Sequence, residues 1–398
     1  MLFVLLVGVT YSGAQKVCDA VGIGYVPLTQ MTNEPWNGVL GGLYPNGSNN
    51  RPYDHDLLLL KHALTVQACK PDGSLDIRNG QIVVLGIGSS NAKSAFSSLE
   101  RISTTDTLCN RSVQFLNVAQ DGLGLQNVAS ANSGYWSEVE NAVAAQGFAT
   151  SQVQIAWVMI DDTENTDTVF PRAAQELADQ LYDLCKTIKV KFPSVKFIHL
   201  SSRPYSGYID PTETSLGMGH ITPRDYIHGW AVKFLIERQI NGSAGYAFTG
   251  AHSEIPALVW SSYLWSDGTT ANSDGLSWEC TDFESDGFSL ATSGSEKAGR
   301  SLHFQFSQDQ LSMGWYTRPV PMSVSANHES LLQVHAVVSD GAIHIASTDG
   351  DVAIMNLQGK VMWSTSSSEN DIDVPTSSWP SGVYVVRSGS ESELVTVR

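Results

Sequence analysis

The sequence predicts an α/β protein built on a doubly wound, mostly parallel sheet of flavodoxin-like type, followed by a small C-terminal β-sandwich domain. Three observations carry this prediction. Segments such as QIVVLGIG (81–88) and VQIAWVMI (153–160) are continuously apolar, as strands buried on both faces must be. These strands alternate with amphipathic helical segments, the pattern of a sheet covered by helices. After about Pro319 the helical pattern stops and short strand-like runs replace it.

The elements follow in order. Residues 15–80 read as an irregular lead-in, with GGLYPNGSNNRP (41–52) rich in turn formers and DLLLLKHALTVQA (56–68) helical. The first strand, 81–88, is followed by a helix in SSNAKSAFSSLERI (89–102). VQFLNVAQ (113–120) is a second strand with a Gly-rich exit, and YWSEVENAVAAQG (135–147) a helix ended by glycine. Strand 153–160, the helix RAAQELADQLYDLCKTIKVKF (172–192), strand VKFIHLSS (195–202) and the helix DYIHGWAVKFLIERQING (225–242) continue the alternation. SGSEKAGRSLHFQF (293–306) reads as the closing helix. Beyond it, AIHIAS, VAIMNLQ, KVMWSTS, DIDVP and GVYVVR are separated by turns, a β-module of about 75 residues, near the lower size for a separate domain. The expected division is 1–14, 15–320 and 325–398.

Residues 1–14 read as an export signal lacking a basic start, an apolar run from Leu2 to Val9 followed by the small residues Ser12, Gly13 and Ala14; the alternative is a buried first strand. No later segment reaches transmembrane length. Export permits disulfides, and among the five cysteines Cys18 and Cys69 could pair; the odd count leaves a free thiol. No cysteine spacing suits a metal, so no metal or organic cofactor is implied. Asn46, Asn110 and Asn241 lie in N-x-S sequons. A net charge of −17 argues against nucleic acid and anionic membranes as partners, but leaves a neutral polysaccharide open.

In doubly wound sheets, ligands bind at the carboxyl ends of the strands. The polar exits 88–91, 119–124, 161–165 and 201–208 therefore define one candidate cleft. Ser90 (with Ser89 adjacent) stands at a strand-to-helix turn, where a hydroxyl projects and helix N–H groups can stabilise an oxyanion; the alternative is a helix cap. Gly122 can offer an unobstructed N–H to the same oxyanion, or simply form a tight turn. Asp286, before the last helix, suits a triad acid. Arg203 can hold a carboxylate, while Tyr205, Tyr208 and Trp265 can stack on a sugar or pack in loops. Trp260, Trp265 and Trp278, with Asp267 and Asp274, form an aromatic-acidic stretch that also admits a glycosidase with paired carboxylates.

The order strand–GIGSSN–helix, Gly-rich second exit and late Asp-Gly resembles the SGNH (GDSL-like) hydrolase superfamily. GGLYPNGSNNRP, NGQIVVLGIGSSN, HLSSRPYSGY, GWAVKFLIERQI and YLWSDG…SDGLSW…DFESDG are similar to a group of secreted bacterial proteins with that fold, over about residues 40–316. The resemblance implies a serine esterase with Ser90 as nucleophile and oxyanion donor, Gly122 as second donor, Asp286 as acid and Asn91 at the substrate. Two departures stand out. The family pattern places His three residues after the Asp; here Ser289 stands there. The third block offers Asp161-Asp162 rather than Asn. His199, His220, His228 and His252 remain as substitute bases. The leading expectation is an esterase on acylated polysaccharide; the rival is an altered homologue that binds glycan through the same cleft, with a glycoside hydrolase third. The tail, with NLQGKV, PSGVYVVR and a terminal TVR, is similar to the type IX secretion sorting domain over 325–398. It implies contact with the secretion machinery and a secreted or surface-attached protein of a Gram-negative bacterium.

Overall fold

The computed structural model describes residues 16–19, 22–212, 220–250, 253–318, 335–346, 351–356, 360–366, 371–380, 382–388 and 391–397. The expected export signal and His252 lie outside these residues. The chain divides into two compact units, Met1–Pro319 and Val320–Arg398.

The first unit is organised by five strands: β1 (Ile82–Gly88), β2 (Val113–Asn117), β3 (Val153–Met159), β4 (Phe197–Leu200) and β5 (Ala257–Trp260). Their spatial order is β2-β1-β3-β4-β5 and every pairing is parallel. This is the flavodoxin-like order, and it places a topological switch point between β1 and β3. Every residue of β1 and β3 is buried, which explains their unbroken apolar sequences.

Among the described residues the α-helices of seven residues or more are α1 (Tyr53–Ala63), α2 (Ser90–Thr105), α3 (Gly134–Ala145), α4 (Arg172–Lys191), α5 (Arg224–Ile240), α6 (Thr292–Gln308) and α7 (Gln310–Tyr316). In α4 the buried positions Ala174, Leu177, Ala178, Leu181, Leu184, Cys185 and Ile188 recur at three- and four-residue intervals, one stripe facing the sheet.

The structure corrects the sequence reading in three places. Ala257–Trp260 is a fifth strand; four apolar residues are too few to show a period, and only pairing with β4 identifies them. The stretch containing Trp260, Trp265 and Trp278 is core rather than an exposed wall: all three rings are buried, and the Trp278 indole donates to the Leu264 carbonyl at 2.7 Å. Cys18 pairs with Cys280, not with Cys69. The lead-in runs beside the late loops, with the Lys16 N–H bonded to the Ser285 carbonyl and the Val17 N–H to the Tyr208 carbonyl. Cys69 is held elsewhere by backbone pairing with Gln81.

The second unit contains two antiparallel sheets. β6 (His335–Ser339), β7 (Ala342–Ala346) and β10 (Asp371–Pro375) form one, in the order β10-β7-β6. β8 (Val352–Asn356), β9 (Val361–Thr365), β11 (Gly382–Ser388) and β12 (Glu391–Val397) form the other, in the order β9-β8-β11-β12. Their inward residues, among them Ile343, Ile345, Ile354, Val374, Val386 and Val397, make one apolar core.

Candidate active site

Ser90 is the first residue of α2, directly after β1 at the switch point. Gly88 makes the turn feasible: a side chain there would bring its Cβ within 2.2 Å of the Met159 carbonyl oxygen and 2.4 Å of Ala92. Ser89 is the N-cap, yet its side chain makes no capping bond. The Ser90 hydroxyl is half-buried and has no hydrogen-bond partner among the described residues. The capping alternative therefore does not account for either hydroxyl.

Asn91 is buried and both polar atoms of its side chain are hydrogen-bonded. Its Nδ2 donates to the Phe288 carbonyl at 2.9 Å, and its Oδ1 accepts from the Leu290 N–H at 2.9 Å. These bonds anchor the 286–289 turn beside the start of α2. Within that turn, Asp286 Oδ1 accepts from the N–H groups of Phe288 (2.9 Å) and Ser289 (2.8 Å). Asp286 Oδ2 accepts from the Ser289 hydroxyl at 2.7 Å. The serine in the family's histidine position thus occupies the carboxylate that would orient an imidazole. Gly287, at φ +70°, has no room for a side chain, since a Cβ would lie 2.2 Å from the Tyr208 carbonyl oxygen.

The second exit is stitched to the first by the Gln120 N–H, which donates to the Gly88 carbonyl at 3.0 Å. Gly122 is exposed in this turn at φ +75°. Its N–H has no hydrogen-bond partner among the described residues.

The two aspartates after β3 do not confront the cleft as bare charges. Asp161 lies between two guanidinium groups, Arg224 at 2.7 Å and Arg203 at 2.8 Å, and its side chain is 1% exposed. Burial alone would raise this carboxyl, but Arg224 and Arg203 overcome that and hold it below the usual carboxylate range. Asp162 Oδ1 accepts from the Glu164 and Asn165 N–H groups, and its Oδ2 from the Gln180 amide. The repulsion expected from Asp161 is therefore countered by Arg203 and Arg224, while Asp162 is tied into the turn by neutral donors.

Arg203, Tyr205, Tyr208 and Trp265, expected at the substrate, are buried. Arg203 also donates to the His220 carbonyl, the Tyr208 hydroxyl to the Trp278 carbonyl, and the Trp265 indole to Asp225 Oδ2. They are packed into the interior rather than exposed as a stacking platform, and the Tyr205 hydroxyl is buried with no hydrogen-bond partner among the described residues. Asp267 is likewise committed, accepting from the Ile23 and Gly24 N–H groups of the lead-in.

Sequence reasoning missed Arg224 and Asp225, at the start of α5. Asp225 Oδ2 accepts from the Ser206 N–H as well as from Trp265. A charged pair opening a helix looks like ordinary capping, so no local signal marks them.

The described candidate bases separate clearly. His199 lies in β4, packed against Phe306 at 4.8 Å. His228 donates Nε2–H to the Ile160 carbonyl at 2.9 Å. His220 instead packs its ring on Phe288, centroids 4.2 Å apart, directly over the 286–289 turn. Its Nδ1 is buried without a partner among the described residues. Burial and the neighbouring Arg203 push its imidazole down to about 3.

Residues 338–398 match the family described as the secretion system C-terminal sorting domain. The tail therefore marks a secreted or cell-surface protein of a Gram-negative bacterium. No helix among the described residues is long and apolar enough to cross a membrane. No curated protein matches the chain. Among solved structures, a putative SGNH hydrolase from Slackia heliotrinireducens is 14% identical over 57% of this chain and 99% of its own, with a TM-score of 0.31. A carbohydrate acetylesterase from Sinorhizobium meliloti is 12% identical over 56% and 97%, with a TM-score of 0.35. An extracellular lipase from Streptomyces rimosus is 13% identical over 56% and 99%, with a TM-score of 0.30. These scores are too low to assign an activity.

Proposed function

We propose that the first unit is a secreted SGNH-like serine esterase that removes acyl groups, acetyl foremost, from polysaccharide. The observation that carries the reading is the position of Ser90: first residue of a helix, at the switch point of a parallel sheet, with its hydroxyl free of any cap. A hydroxyl so placed faces the N-terminal end of the helix dipole, which stabilises developing negative charge.

In the proposed reaction Ser90 Oγ attacks the acyl carbonyl and its proton passes to His220, the histidine packed over the 286–289 turn, a weak base because burial and Arg203 hold it down to about 3. The tetrahedral oxyanion is held by the N–H groups at the start of α2 and by the Gly122 N–H. Collapse breaks the ester bond, and the proton on His220 goes to the departing sugar oxygen. Water, deprotonated by the same imidazole, then attacks the acyl-serine; the acyl–Oγ bond breaks, the imidazolium returns its proton to Ser90 Oγ, and the carboxylic acid leaves. Asp286 keeps the turn beneath His220 in place. Asn91 supports that turn, and the proposed substrate contacts fall to the exposed rim around Gly122 rather than to Tyr205, Tyr208 or Trp265.

The test is acetate release from 4-nitrophenyl acetate and acetylated xylan by the purified protein and by Ser90→Ala. Release by the wild type, reduced roughly 1,000-fold or more in Ser90→Ala, supports the esterase. A wild type that binds the glycan but releases no acetate overturns it in favour of the glycan-binding homologue.

A further inference from the structure

We propose that Asp106, Cys109 and His303 form a binding site for one divalent transition-metal cation of the zinc type, at the opposite end of α2 from Ser90. One donor atom from each residue lies within 4.8 Å of the other two, the only such group of three among the described residues. His303 Nε2 is 3.2 Å from Asp106 Oδ2. In a four-coordinate zinc site, bonds of about 2.0–2.3 Å put ligand atoms roughly 3.3–3.8 Å apart. Closing the group on a cation thus needs donor shifts on the order of 1 Å.

The donor chemistry suits such a cation. Thiolate and imidazole prefer zinc-like metals to magnesium or calcium, and one carboxylate with one thiolate cancels the charge of a divalent ion. Binding replaces the thiol proton of Cys109, which passes to solvent, and puts the cation into the 3.2 Å gap between His303 Nε2 and Asp106 Oδ2.

The surroundings are arranged as an outer shell. His303 Nδ1 lies 2.8 Å from the Tyr316 hydroxyl, which lies 2.6 Å from Ser103 Oγ; Ser103 in turn donates to the Leu99 carbonyl at 2.8 Å. This chain lets Nδ1–H donate outward and leaves the Nε2 lone pair facing Asp106 and Cys109, the orientation typical of a metal-bound histidine. Asp106 Oδ1 is used by the Leu108 N–H at 2.8 Å, leaving Oδ2 for the cation. A cavity of about 220 Å³, lined by Cys109, Tyr316, Ser103 and Glu100, adjoins the group and has room for a water as fourth ligand.

The site joins parts of the fold distant in sequence. Asp106 and Cys109 follow α2, His303 lies in α6 and Tyr316 ends α7. The loop is already tied to α7 through the Asn110 N–H on the Tyr316 carbonyl. Cysteine spacing gave no hint of this site because its ligands are brought together only by helix packing. The 16 residues of α2 separate it from Ser90 by roughly 24 Å, so it is independent of the esterase reading.

The test is titration of the reduced, chelator-stripped full-length protein with Co²⁺ as a spectroscopic probe. The expected result is one Co²⁺ per chain, with a sulfur-to-cobalt charge-transfer band and four-coordinate ligand-field bands. Cys109→Ser should lose the charge-transfer band, while Cys69→Ser keeps it. Tyr316→Phe should keep the band but bind roughly 10–100-fold more weakly, because it removes only the partner of Nδ1. Should Cys109→Ser fail to fold, His303→Gln is read in its place, by loss of affinity. No band in the wild type, a band surviving Cys109→Ser, or unchanged affinity in His303→Gln would each overturn the proposal.

Discussion

Ser289 donates its hydroxyl to the Asp286 carboxylate across 2.7 Å. The bond occupies the acceptor that would otherwise orient a histidine at this position. Ser289→His should therefore give Ser90 a base held by Asp286, and kcat/KM for 4-nitrophenyl acetate should rise by roughly 100-fold, the lower range for general-base catalysis. An unchanged or lower value in a folded variant would mean that Ser90 is not within reach of that imidazole.

Asn91 ties the start of α2 to the turn carrying Asp286. Asn91→Ala removes both bonds and leaves the Phe288 carbonyl and the Leu290 N–H unpaired in a buried setting. The expected loss of stability is about 1–3 kcal/mol, read as a lower urea midpoint at unchanged m-value. Ester hydrolysis should fall in parallel, since the turn supports the proposed base. Stability within 0.5 kcal/mol of wild type would contradict the anchoring role.

Asp161 depends on both arginines. Arg224→Met removes one guanidinium and leaves the carboxylate under-neutralised in the core, at an expected cost of about 3–5 kcal/mol. Adding Asp161→Asn should recover part of that loss, because the uncompensated charge goes with it. A double variant as unstable as the sum of the two single ones would show that the charges are not coupled.

Acid should destabilise the protein well above the carboxylate range. Burial, the largest influence in each case, holds His199 and His228 down to about 4 and His220 down to about 3 in the folded state, against roughly 6.5 when unfolded. A depressed imidazole means the unfolded chain binds more protons between those limits, so stability falls as pH drops from about 6.5 towards 4 and does not depend on these groups above 6.5. Thermal midpoints measured from pH 8 to pH 4 should be level at first and then decline. His199→Phe, placed among Phe306 and Trp315, should shallow the decline; a midpoint flat down to pH 4.5 would rule out neutral buried histidines.

Much of the architecture was legible in the residues alone. The apolar runs of β1 and β3 and the striped helix α4 specify their own secondary structure, because burial on two faces or one leaves a period in the sequence. That the strand exits share one edge of the sheet was legible too, since parallel βα connectivity places them there. The C-terminal tail could be read from its turns and terminal motif. What the sequence could not disclose was the fate of side chains whose partners are far away in the chain. Tyr205, Tyr208 and Trp265 looked like a sugar platform until packing buried them, and Asp161 looked like a repelling charge until Arg203 and Arg224 closed on it. Cys18 found Cys280 only because the lead-in folds back along the late loops. Composition and period act locally, whereas burial, charge neutralisation and cross-linking belong to pairs of residues that tertiary structure alone brings within a few ångströms.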